Sequence, residues 1–274
     1  MGTTQRIGSG VKNDPNWGSL TTSVTSAAKA VSDLEIEDNA AKPSDEEQVK
    51  VQEKRYNQLL KRRDAHVKST FERLVKLAGG SKHVSKGKSL QLGRAGLKSS
   101  GKLVGFFSGA SSSGLDAALK NIGFDTLTGK TVRDVIDYLI TYCADSATGM
   151  DETAANKAIN EVLRKIEIEA DGDLDSLEQL FAHYTNTDKL GELLCQFFGT
   201  YIFEYLSERF EERLTQTKGE GVSKETFDCI KKEIQGRINR LNVTKPVAKI
   251  DWTGDPGKKE IERIFEAIIK IEEK

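Results

Sequence analysis

The sequence predicts an all-α protein, an irregular bundle of about nine or ten helices behind a flexible extended N-terminal tail. Three observations carry that expectation. From Leu20 to Ile269 apolar side chains recur at spacings of three, four and seven, the period of one helix face. Alternating apolar and polar runs bounded by turn residues are missing throughout. No segment of about 20–50 residues repeats itself, so a solenoid is excluded.

The elements follow in chain order. Residues 1–17, MGTTQRIGSGVKNDPNW, have no period and read as a tail pinned at most by Trp17. Ser19 is placed to cap a helix running to about Leu34, with Leu20, Val24, Ala27, Ala28 and Val31 on one face. Residues 35–47 are acidic, contain Pro43 and read as a linker. From about Asp45 to Ala78 a long helix turns Tyr56, Leu59, Leu60, Val67, Phe71, Leu74 and Val75 to one side. Its other face carries Lys54, Arg55, Lys61, Arg62, Lys68 and Lys76, and Gly79–Gly80 ends it. Residues 18–80 thus form an N-terminal helical unit and residues 81–274 a helical core domain.

Within that core, the basic loop SKHVSKGK leads into a helix from about Leu90 to Phe107. Further faces are marked by Val132, Val135, Ile136, Leu139 and Ile140, by Ile159, Val162, Leu163 and Ile166, and by Leu174, Leu177, Leu180 and Phe181. The run from Leu190 through Phe197, Phe198, Tyr201, Ile202 and Tyr205 to Leu206 has the widest apolar stripe and is predicted to be the central helix. Phe227 to Leu241 gives one more, and Ile261 to Ile269 the last.

Composition excludes several classes. With 274 residues, 30% of them charged, and a mean hydropathy of −0.49, a soluble protein with a sizeable core is expected. The longest apolar run free of charge, Leu193 to Phe203, has 11 residues, short of the ~20 that span a bilayer. No basic-then-apolar leader opens the sequence. Cys143, Cys195 and Cys229 are odd in number and widely spaced, which argues against a disulfide framework and for a reducing cytoplasm. The net charge of −1 conceals −4 over residues 1–49, +12 over residues 50–102 and −9 over residues 103–274. So basic a block calls for a partner, either the acidic remainder of the chain or an external one.

Motifs for chemistry are sparse. Gly129-Lys130-Thr131 and Gly87-Lys88-Ser89 lack the upstream glycine and the preceding strand of a phosphate loop, and read as helix-start turns. Asp171-Gly172-Asp173-Leu174-Asp175 opens like a calcium loop, but its sixth and twelfth positions are Ser176 and Ala182, so Asp173 is read as a helix cap. His66, His83 and His183 share no ligand spacing, and no nucleophile elbow or Cys/His pair occurs. Gly101, Gly105 and Gly109 form a small-residue ladder, expected to pack closely against another helix, the alternative being a conditional membrane-active face. The pattern for N-terminal myristoylation fails at Arg6.

Several further stretches stand out: Met1-Gly2-Thr3-Thr4, Lys76-Leu77-Ala78-Gly79-Gly80, Leu92-Gly93-Arg94-Ala95-Gly96 and the glycine ladder into Phe106-Phe107. Ala118 to Gly123, Leu127-Thr128-Gly129-Lys130 and Leu139 to Cys143 follow them. Together these stretches resemble the QatB component of the bacterial Qat anti-phage defence system. The resemblance implies a non-enzymatic component with no intrinsic cofactor, working with a QueC-like enzyme (QatC type), an ATPase and a TatD-like nuclease. It further implies that Gly2, once Met1 is removed, accepts a 7-deazaguanine group as a covalent 7-amido-7-deazaguanine. Thr3, Thr4, Gly8, Ser9 and Gly10 would then let the tail enter a narrow partner site. Lys61, Arg62, Arg63 and Lys68 form a candidate basic contact surface. The alternative reading is a nucleic-acid-binding protein using residues 50–102.

Overall fold

The computed structural model describes residues 17–40, 45–144, 146–186, 189–244, 252 and 254–270. Among them lie eleven α-helices and no strand. They are α1 (Gly18–Asp38), α2 (Glu46–Leu77), α3 (Ser81–Val84), α4 (Arg94–Ser113), α5 (Leu115–Asn121) and α6 (Val132–Cys143), then α7 (Met150–Ala170), α8 (Leu174–Asn186), α9 (Lys189–Lys218), α10 (Glu220–Thr244) and α11 (Gly254–Ile269).

α9 is the axis of the bundle, packing against α1, α4, α7, α8, α10 and α11. The expected stripe is there and is wide, its buried side chains running from Leu190 to Leu214, and Glu192, Gln196 and Glu208 mark the strip left to solvent. Phe197, Phe198, Tyr201 and Ile202 are fully buried, and Phe198 stacks on Phe265 of α11 with ring centroids 4.3 Å apart. α1 and α2 lie side by side and lean on α9 and α10. The apolar core crosses residue 80 without a break, Leu74, Val75 and Ala78 sharing one cluster with Val84 and Leu92.

Local chemistry sets the ends. Asp45 caps α2 by accepting from the Glu47 N–H at 3.3 Å, and Gly79 and Gly80 close it in left-handed conformations, with the Gly80 N–H bonded to the Val75 carbonyl at 2.8 Å. Thr131 and Asp134 form a reciprocal capping box at α6, so Gly129-Lys130-Thr131 is a helix start. Asp173 accepts from the Ser176 N–H at 2.9 Å and the Ser176 hydroxyl at 2.7 Å, the cap read from the sequence.

Several boundaries move. Trp17, not Ser19, occupies the N-cap of α1, and the Ser19 carbonyl is instead held by Arg73 at 2.6 Å. The acidic segment after Leu34 stays helical to Asp38 because α2 runs alongside with opposite charge: Glu37 pairs with Arg55 at 3.0 Å. The helix expected from Leu90 begins at Arg94, because the Ser89 hydroxyl holds the N–H groups of Gln91 and Leu92 in a turn. No described helix is long and apolar enough to cross a membrane.

Candidate functional site

Gly2, Thr3, Thr4, Gly8, Ser9 and Gly10 lie outside the described residues. The residue next to that segment is firmly seated. Trp17 stacks near Tyr205 with centroids 6.4 Å apart, meets Phe210 edge-on at 6.3 Å, and carries the Arg209 guanidinium 4.5 Å above its ring.

The basic candidates on α2 point in different directions. Lys61 and Arg62 are exposed. Arg63 is turned inward, donating to Asp64 at 2.8 Å, and lines a cleft of about 540 Å³ between α1, α2 and α10. That cleft also carries Glu35, Asp38, Glu225 and Asp228, so this part of the basic block meets acidic groups of the same chain. Lys68 is half-buried.

A polar joint that sequence reasoning missed sits beneath the start of α4. Asp151, in the first turn of α7, accepts from the backbone N–H of Gly93 at 3.0 Å and of Ala95 at 2.8 Å, and from the Tyr201 hydroxyl. It therefore caps a helix remote in sequence. Burial pushes the Asp151 carboxyl above the ordinary carboxylate range against the lowering by these donors, and burial likewise pushes the Tyr201 phenol well up. Gly93 has φ +114°, and a Cβ there would lie 2.4 Å from the Val84 carbonyl oxygen. At Gly96 a Cβ would meet the Tyr201 ring at 2.7 Å. The glycines of Leu92-Gly93-Arg94-Ala95-Gly96 are thus the signal for this joint, although its partners, Asp151 and Tyr201, lie far along the chain.

Arg237 makes a second link missed in the sequence. Buried on α10, it lies 3.9 Å over the Phe71 ring and donates to Glu233 at 2.9 Å and to the Lys270 carbonyl at 3.2 Å.

The glycine ladder corrects an expectation. Among the described residues nothing lies within 4 Å of where a Cβ would stand on Gly101 or Gly105, and Gly109 meets only the Ala118 methyl at 3.7 Å. No helix packs closely onto the ladder, because the buried face of α4 is the one bearing Leu103, Phe106, Phe107 and Ala110. The glycines instead floor an open groove of about 780 Å³ between α4 and α11.

The three cysteines are free and buried, and burial raises Cys143 to about 12 and Cys195 and Cys229 to about 11. Among the described residues no three His, Cys, Asp or Glu side chains gather to hold a metal ion.

The fold and these surfaces define an all-helical protein organised by one central helix, a buried carboxylate joint and an open basic groove. A family model, Qat anti-phage system associated protein QatB, matches residues 85–271. The chain belongs to the QatB family. The joint and the groove lie within the matched residues, whereas α1, α2 and Trp17 lie before them. Searches of curated proteins and of solved structures gave no match.

Proposed function

We propose that this chain is a cytoplasmic, non-enzymatic component of a Qat anti-phage complex, and that its Gly2 amine receives a 7-deazaguanine group from a QueC-like partner. The observation that carries the reading is the family match over residues 85–271, which makes the chain a component associated with the Qat system. The QueC-like enzyme activates the base carboxylate as an acyl-adenylate. The neutral Gly2 amine attacks that carbonyl, AMP leaves, the amide forms, and the amine proton passes to solvent or a base. An α-amine titrates near ~8, so a useful fraction is nucleophilic at neutral pH. The seating of Trp17 against α9 supports a tail whose root is fixed on the body. The ATPase and the TatD-like nuclease complete the set of partners.

The test is the mass of the N-terminal peptide after co-expression with the QueC-like enzyme and a supply of base. Wild type is expected to carry the added group. Gly2→Leu, which also blocks Met1 removal, is expected to carry none, and Gly2→Ala little. An unmodified wild-type terminus beside an active partner overturns the acceptor role.

The second reading, nucleic-acid binding through residues 50–102, draws on the exposure of Lys61 and Arg62. It requires the isolated protein to bind DNA or RNA with an affinity that falls steeply with salt.

A further inference from the structure

We infer that the groove between α4 and α11 is a docking site for an extended acidic segment of a partner protein, independent of any chemistry at Gly2. Its α4 lining runs from Arg94 through Gly101, Gly105 and Ser108 to Ser112, a length of ~27 Å at the helical rise of ~1.5 Å per residue. An extended chain, rising ~3.3 Å per residue, spans it with about eight residues.

Charge identifies the occupant. Among the described residues, Lys86, Arg94, Lys98 and Lys258 line the groove and are exposed, against one carboxylate, that of Glu262. This excess attracts acidic side chains and disfavours the protein's own residues 1–16, whose Arg6 and Lys12 outnumber Asp14. The bare ladder at Gly101 and Gly105 lets a backbone approach closely, and an extended backbone brings unpaired N–H and C=O groups. Ser108, on the same lining, has a buried hydroxyl with no hydrogen-bond partner among the described residues, suited to such a group. Single-stranded nucleic acid fits less well. The one aromatic among the described lining residues, Trp252, is 7% exposed and offers no face for stacking bases.

The test uses the full chain and a fluorescein-labelled octapeptide of alternating Glu and Gly, read by anisotropy. Controls are the Gln–Gly peptide and an eight-residue oligothymidylate. The acidic peptide is expected to bind saturably. Its affinity should fall at least about tenfold both in Arg94→Glu/Lys258→Glu and in Gly101→Leu/Gly105→Leu, and similarly for the Gln–Gly peptide. The leucines enter open space, so the thermal midpoint of that variant should not fall. Three results overturn the proposal. The acidic peptide fails to bind, the leucine pair leaves its binding unchanged while the protein remains folded, or oligothymidylate binds more tightly and displaces it.

Discussion

Tyr201, in the middle of α9, donates its phenolic hydrogen to Asp151 in the first turn of α7 while its oxygen accepts from the Gly93 N–H at 2.6 Å. Three helices meet at this point: the axis of the bundle, its neighbour α7, and the α4 helix that floors the groove. Because Asp151 takes the Ala95 N–H and the Tyr201 hydroxyl, its removal orphans these two buried donors, while the Gly93 N–H keeps the Tyr201 oxygen. Asp151→Ala is expected to destabilise the protein by about 2–4 kcal/mol in urea unfolding. A loss under about 0.5 kcal/mol would mean that the joint contributes little.

Two glycines on α4 predict opposite signs. Gly96→Ala drives a methyl into the Tyr201 ring and is expected to lose about 1–3 kcal/mol. Gly101→Ala meets nothing and restores helix propensity, a gain of about 0.5–1 kcal/mol. Thermal melts of the pair check both, and melting temperatures displaced in the same direction would contradict the geometry.

Phe197 is wholly buried, edge-on to Phe198 at 5.1 Å and parallel to Tyr201 at 6.2 Å. Phe197→Ala should cost about 3–5 kcal/mol by chemical denaturation. A near-neutral result would remove α9 from the centre of the stability argument.

The basic surface is tested without disturbing the fold by reversing Lys61 and Arg62 alone. Arg63 is left untouched, since a carboxylate there would face Glu225 and Asp228. Lys61→Glu/Arg62→Glu should stay within about 0.5 kcal/mol of wild type in stability. Weakened co-purification with Qat partners is the outcome expected of a protein-contact surface. Normal assembly with lost nucleic-acid binding would favour the other reading.

Acid sensitivity should come from the helix caps. The Thr131 backbone N–H and hydroxyl hold Asp134 below the ordinary carboxylate range, and the Ser176 hydroxyl and N–H do the same for Asp173. A folded-state value below the unfolded one gives stability that is complete above the unfolded pKa and is lost as pH falls through the folded one. Unfolding midpoints should therefore decline below about pH 4, and Asp134→Asn/Asp173→Asn should flatten that decline. Asp151 runs the other way, since its raised carboxyl favours the folded state on protonation. If the double variant keeps the wild-type slope, the caps are not its source.

The helical class, the central helix, the start of α2 near Asp45, the helix-start turn at Gly129-Lys130-Thr131 and the cap at Asp173 were legible in the sequence because period and turn chemistry act within a few residues. The cap expected at Ser19 instead lies inside the first turn of α1. The short helices α3 and α5 were not, since four and seven residues are too few to establish a period. The Asp151 joint escaped because its partners stand 50 or more residues from it, leaving two glycines as the visible trace. The open ladder was misjudged for a related reason. Periodicity says which residues share a face, whereas the packing of α11 decides whether that face is covered.

Six helices, α1, α4, α7, α8, α10 and α11, rest on α9, while Glu192, Gln196, Glu208 and Glu212 leave one strip of it facing solvent. Each of those six pairings draws on the same buried side chains, so a shortened side chain inside α9 is felt by several helix pairs at once, whereas a change on its solvent strip is felt by none.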